Sequence, residues 1–162
     1  EFLPLKEKVD IIQQDVNVLK EDLAMLKKDV AYLKGDNFEK IRERASSYFG
    51  RFIRRCRVIN SEELANILDD AMDSDVISEA ERDDALNIDV AVTGILKHDR
   101  DKKVVLVAEV SIKADRTDVE RFSERARIIE KAMKLSAIPV VIGREFTEGA
   151  KTVAKKHDVI LC

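Results

Sequence analysis

Leu5, Val9, Ile12, Val16, Leu19, Leu23, Leu26, Val30 and Leu33 recur at alternating intervals of four and three, an unbroken seam of heptad a and d positions. Val9, Val16, Leu23 and Val30 stand at a; Leu5, Ile12, Leu19, Leu26 and Leu33 stand at d. Mostly β-branched a with mostly leucine d favours two parallel strands. The flanking charges agree. Asp15, Asp22 and Asp29 at g lie five residues before Lys20, Lys27 and Lys34 at e, so a parallel dimer joins Asp to Lys across the seam. An antiparallel dimer would set Asp against Asp and Lys against Lys. An exposed pair contributes only ~0.2–1 kcal/mol, but here three favourable pairs in each of two symmetric sets replace repulsions. The pattern predicts a parallel homodimer through residues 5–34, with a helix about 45 Å long. The alternative, an amphipathic helix lying on its own domain, calls for a wider apolar stripe.

Gly35-Asp36-Asn37 closes the heptads. Phe38 to about Arg55 reads as a helix, with Phe38, Ile41, Ala45, Tyr48, Phe49 and Phe52 mostly on one face. Asn60-Ser61 opens a short helix over 62–72, and the capping box Ser78-Glu79-Ala80-Glu81 opens another. Residues 60–87 therefore read as an acidic helical insertion or lid. From residue 88 the period changes to that of strands. Apolar runs at 88–97 and 103–112 are joined by the turn His98-Asp99-Arg100-Asp101-Lys102. A second capping box, Thr117 to Glu120, opens a helix to about Lys134; a strand at 137–142, a helix at 147–157 and a strand at 159–161 follow. The expected fold class is α/β: a coiled coil at 1–34, then a domain at 35–162 built on a central mixed sheet flanked by helices.

Composition narrows the function more by exclusion than by assignment. Charged residues make up 38% of the chain, yet the net charge is −3, so any basic surface must be local. Five glycines, none in a phosphate-binding spacing, leave no room for a nucleotide cofactor loop. His98 and His157 are the two histidines, too few for zinc or Ser-His-Asp chemistry. Cys56 and Cys162 lack metal-site spacing and make no disulfide framework, which favours a reducing, cytoplasmic setting. No apolar run approaches eighteen residues, so no membrane span is expected. The chain opens at Glu1-Phe2 without a methionine, and a longer parent protein is expected.

Carboxylates remain. Asp89 enters the first apolar run and Glu109 lies near the end of the next, in Leu-Val-Ala-Glu-Val, where an unassisted charge is costly. Alternation puts Glu109, Ser111 and Lys113 on one face. Mg²⁺ prefers a pair of carboxylates completed by waters, and a site of this kind generates hydroxide and neutralises charge on a phosphoryl group. Glu39 and Glu43, one helical turn apart, offer a further acid. Structural alternatives stand beside these roles: Asp89 as a strand cap, Glu109 in a buried ion pair with Arg121 or Arg125, Glu39 and Lys113 as solvated surface groups. Arg51, Arg54, Arg55 and Arg57 form a basic cluster that can grip phosphates or pair with the acidic segment.

This layout resembles the PD-(D/E)XK nuclease superfamily, the restriction-endonuclease-like fold of type II restriction enzymes and archaeal Holliday-junction resolvases. It resembles in particular a prokaryotic group in which a coiled coil precedes such a domain. Lys34-Gly35-x-x-x-Glu39 resembles the first-helix motif, Asp89 matches the motif aspartate, and Glu109-Val110-Ser111 stands where Glu-x-Lys is expected. The resemblance implies a Mg²⁺ (or Mn²⁺) site held by Asp89 and Glu109, Glu39 completing the acidic cluster, and DNA as substrate. Ser111 departs from the motif lysine, and Lys113, one strand step further on, is the candidate replacement. Arg121 and Arg125 fall where the superfamily keeps a polar pair facing the site; with Arg51, Arg54, Arg55 and Ser111 they are the expected nucleic-acid contacts. The alternative reading is an inactive nuclease fold used as a dimeric scaffold or nucleic-acid-binding module.

Overall fold

The computed structural model describes residues 4–21 and 45–162. The chain divides into two compact units, Glu1–Asp36 and Asn37–Cys162. In the first, helix α1 covers residues 5–21. It starts after Pro4, whose fixed φ suits a helix start and whose carbonyl accepts from the Lys8 N–H at 3.2 Å. Its seam residues stand in solvent in the single chain: Leu5 is 78% exposed and Leu19 66%. The later heptads, Lys34-Gly35, Glu39 and Glu43 lie outside the described residues.

The second unit is a mixed α/β domain. Its elements are α2 (Ala45–Phe49), β1 (Ile53–Ile59), α3 (Ser61–Asp73), α4 (Glu79–Ala85), β2 (Val90–Leu96), β3 (Lys103–Ala114), α5 (Arg116–Met133), β4 (Ser136–Phe146), α6 (Glu148–Lys156) and β5 (Ile160–Leu161). The five strands lie side by side in chain order. β1, β2 and β3 are antiparallel neighbours, whereas β3, β4 and β5 are parallel. β3 carries the centre. Val104 to Val110 are buried without interruption, the continuous apolar run of a strand covered on both faces. Val105 and Val107 face a core made with Leu64, Leu68, Phe122 and Ile129 of α3 and α5. Val104, Leu106, Ala108 and Val110 face a second core with Phe49 and Val140. Burying one such side chain gains about 1.5–3 kcal/mol, so β3 anchors both layers.

Two expectations change here. Residues 53–55 are not the end of a helix; they open the edge strand β1. Pairing to β2 shifts by one residue between Arg54 and Arg57, so two β1 residues oppose Gly94, and Arg55 takes a left-handed φ of 54°. This is a β-bulge. It reverses the alternation, so Ile53 is buried in one core and Ile59, six residues on, in the other. Gly94 permits the close approach: a Cβ there would meet the Arg54 carbonyl oxygen at 2.9 Å. The second change concerns α3 and α4. Leu64, Leu68, Ala71, Ile77 and Ala85 belong to the main core, so this segment builds the domain instead of covering it as a lid.

Helix starts follow local chemistry. The Asn60 side chain caps α3, and Ser78 with Glu81 forms a reciprocal capping box on α4. α5 starts two residues earlier than the Thr117 box implied, because Asp115 and Asp118 form their own box directly after β3. The Glu81 carboxylate accepts the Ser78 backbone N–H at 3.0 Å, and that bond holds its pKa below the ordinary value of 4.5. A depressed folded pKa contributes stability above the unfolded value, which is lost as pH falls through the folded one. Glu81→Gln keeps the capping geometry without the titration, so its melting temperature should depend less on pH below about 4.5 than that of wild type. Parallel acid limbs for the two proteins would refute this. Among the described residues, no helix is long and apolar enough to cross a membrane.

Candidate active site

The last pair of the β2–β3 ladder is Val90 with Ala108. One step beyond it, the chain brings Asp89 to the place opposite Glu109. β2 ends there, so the Val110 N–H has no partner strand on that side. Asp89 Oδ2 accepts from it at 2.8 Å, closing the ladder with a side chain. Asp89 is half-buried. Glu109 is 8% exposed, at the end of the buried run of β3 and level with Val141 of β4.

Helix α5 supplies the positive charge. Arg125 Nη1 lies 3.7 Å and Arg121 Nη2 3.9 Å from Glu109 Oε1; both are ion pairs at longer than hydrogen-bond distance. Closer bonds fix the two guanidiniums. Arg125 Nε donates to Asp84 Oδ1 at 2.9 Å, and Arg121 Nη2 to Asp118 Oδ1 at 2.9 Å. Arg125 is 9% exposed and ties α4, α5 and β3 together, whereas Arg121 is open to solvent. The buried glutamate is thus offset by two cations that the turns of one helix place on one face.

The other expected residues are spread around this centre. Ser111 is half-buried on β3 and level with Gly143, where a Cβ would come within 2.9 Å of the Ser111 carbonyl oxygen. Lys113 is exposed, level with Glu145, and among the described residues makes no ion pair. Arg51 lies in the turn before β1, where its guanidinium sits 4.8 Å above the Phe52 ring and donates to Cys162 Sγ at 3.2 Å. Arg54 and Arg55 are exposed on the edge strand β1, two places from the Glu109-bearing strand β3 in the sheet order. The structure therefore joins Asp89, Glu109, Arg121 and Arg125, and leaves Arg51, Arg54 and Arg55 elsewhere. Asp84 is the member that sequence reasoning missed. It lies 41 residues before Arg125, and the only signal was its membership of the acidic segment.

A divalent cation of the Mg²⁺ type takes hard oxygen ligands, often one or two carboxylates with the remainder water. The Asp89–Glu109 pair fits that donor set. Among the described residues, no group of three or more metal-binding side chains comes together, so the pair is what this part of the chain supplies.

No protein-family model matches the chain. No curated protein matches it either. Among solved structures, a repair endonuclease from Pyrococcus abyssi is similar over 44% of this chain and 31% of its own, at 20% identity and a TM-score of 0.36. The chain thus spans under a third of that endonuclease's length.

Proposed function

We propose that the protein is a Mg²⁺-dependent nuclease-like hydrolase that cleaves phosphodiester bonds of DNA as a coiled-coil homodimer. The observation that carries this reading is the placement of Asp89 opposite Glu109, one step past the end of the β2–β3 ladder. Asp89 and Glu109 would hold the cation, and Glu39, which lies outside the described residues, is the proposed third acid. A bound Mg²⁺ supplies Lewis-acid charge and an acidified water. Arg121, exposed at the rim beside Glu109, orients a phosphate oxygen, and Lys113 stands in for the motif lysine as the mobile cation. Arg125 is a positioning residue: buried against Asp84, it fixes the height of Glu109 without facing solvent. A cleavage assay with Mg²⁺ on duplex, single-stranded and branched DNA tests the reading. No cutting of any of them, or equal cutting in chelator, would sink it.

The dimer rests on the exposed seam. Val9 is 53%, Ile12 61% and Val16 38% exposed on α1, apolar area that a second copy would cover. Ile12→Lys with Leu19→Lys is expected to convert a sedimenting dimer to a monomer; a monomeric wild type refutes the assembly. One observation favours a second reading, a nuclease-like domain that binds without cutting. Ser111, which carries no charge, occupies the position of the motif lysine. Under that reading, DNA binding persists and the Mg²⁺ assay stays blank.

A further inference from the structure

We infer that the bulged corner of β1 is a phosphate-contact surface for a nucleic-acid backbone, separate from the Asp89–Glu109 pair. A cavity of about 380 Å³ opens there, and four cations line it: Arg55 and Arg57 from β1, Arg100 from the β2–β3 turn and Lys103 from the start of β3. Asp101 is the one acid on its wall, and Gly94 also lines it. So dense a positive patch stands out on a chain of net charge −3.

The bulge builds this corner. An ordinary strand at 53–59 would keep its pairing with β2 in step. Here one extra residue is accommodated opposite Gly94, and Arg55 takes φ 54° to do it. A left-handed arginine is an uncommon and costly choice where glycine would serve freely. Bulges of this kind re-aim side chains at sheet edges. The outcome is convergence of residues from two strands and a turn on one cavity. Protection of a bare edge from strand pairing also uses arginines and bulges. Yet that task needs only the edge strand, and Arg100 and Lys103 come from the neighbouring hairpin.

The openness of the corner selects the ligand. Arg55, Arg57, Arg100 and Lys103 are all exposed, and Arg57 also holds Glu63 at 3.1 Å. Solvated, spread-out cations suit a polyanion that releases counterions, more than a small phosphate that needs a closed, desolvated cradle. Lys103 lies six residues from Glu109 along β3, about 20 Å at roughly 3.3 Å per residue. The corner is therefore a remote backbone contact. It shares a nucleic-acid partner with the proposed function but needs neither metal nor cleavage.

The experiment is fluorescence anisotropy of the full chain with a labelled duplex, in chelator, across a salt series. Wild type should bind with a steep salt dependence. Arg100→Ala with Lys103→Ala should weaken binding at least tenfold at moderate salt and lower the salt slope by about 2, near 0.9 per lost phosphate contact. Arg55→Gly removes a cation while giving the left-handed position a residue that adopts it freely, so affinity should fall with no loss of melting temperature. Unchanged affinity and slope in both variants, no duplex binding by wild type, or unchanged affinity with new self-association would each overturn the inference. Inorganic phosphate should displace the duplex no better than sodium chloride of equal ionic strength; tight binding of phosphate alone would assign the corner to a small anion and overturn the polymer assignment. Because the chelator removes divalent metal, failure here leaves the Asp89–Glu109 chemistry to be judged by its own assay.

Discussion

Asp89→Asn is expected to abolish Mg²⁺-dependent DNA cleavage while leaving the melting temperature close to that of wild type. The two effects separate because Asp89 has two tasks. Its Oδ2 accepts the Val110 N–H at 2.8 Å, and an asparagine amide oxygen can accept the same bond. What the amide cannot supply is the negative charge that a hard cation requires. Losing that ligand removes several kcal/mol of transition-state stabilisation, a rate loss on the order of a thousandfold. Asp89→Ala should lose the rate and also about 1–3 kcal/mol of stability, since the Val110 N–H is then left without its side-chain acceptor. Rates are read by single-turnover cleavage and stabilities by denaturant unfolding. Wild-type cleavage by Asp89→Asn would show that the pair is a structural closure of the ladder and nothing more.

Arg125→Ala should destabilise the domain by about 3 kcal/mol, because removing one partner of a buried ion pair strands the other charge. For a domain of this size that lowers the melting temperature by on the order of 10 °C. Arg125 Nε donates to Asp84 at 2.9 Å, its Nη1 lies 3.7 Å from Glu109, and the residue is 9% exposed. The substitution therefore costs a charge-assisted hydrogen bond, the packing of the buried stem, and compensation for a glutamate that is 8% exposed. Arg121, at 3.9 Å and largely solvated, offsets only part of it. Glu109→Gln combined with Arg125→Met should recover part of the loss, since Glu109 then leaves no buried charge, while Asp84 still loses its 2.9 Å partner. Strict additivity of the two single changes would show that Glu109 and Arg125 do not act as a unit.

Much of the domain was legible because its elements obey their own periods. β2 and β3 are apolar runs with a polar turn between them, α5 and α6 carry apolar faces at helical spacing, and Ser78 with Glu81 announces α4. β1 was not legible, for a physical reason. Ile53, Cys56, Val58 and Ile59 keep no period of two, since the bulge moves the strand's parity midway, and Phe49 with Phe52 mimics a helical face. β4 runs on to Phe146 past Gly143, Arg144 and Glu145 because β3 sustains the ladder from Ser136 to Phe146. Of the site, the approach of Asp89 to Glu109 follows from a strand start beside a strand end. The tie between Asp84 and Arg125, and the meeting of Arg100 with Arg55, depend on packing that local pattern does not encode.

The spatial order of the strands repeats their order along the chain. During synthesis, every strand that emerges finds the edge it needs already displayed by the strand before it. None has to be inserted between two that have paired. The β2–β3 hairpin closes over a turn of a few residues, and the parallel partners β4 and β5 then add to one flank, each after a single helix. Such stepwise addition keeps loop-closure distances short. It also confines any strand edge awaiting its partner to the growing side of the sheet, which limits the time that apolar β3 spends uncovered as the nascent chain lengthens.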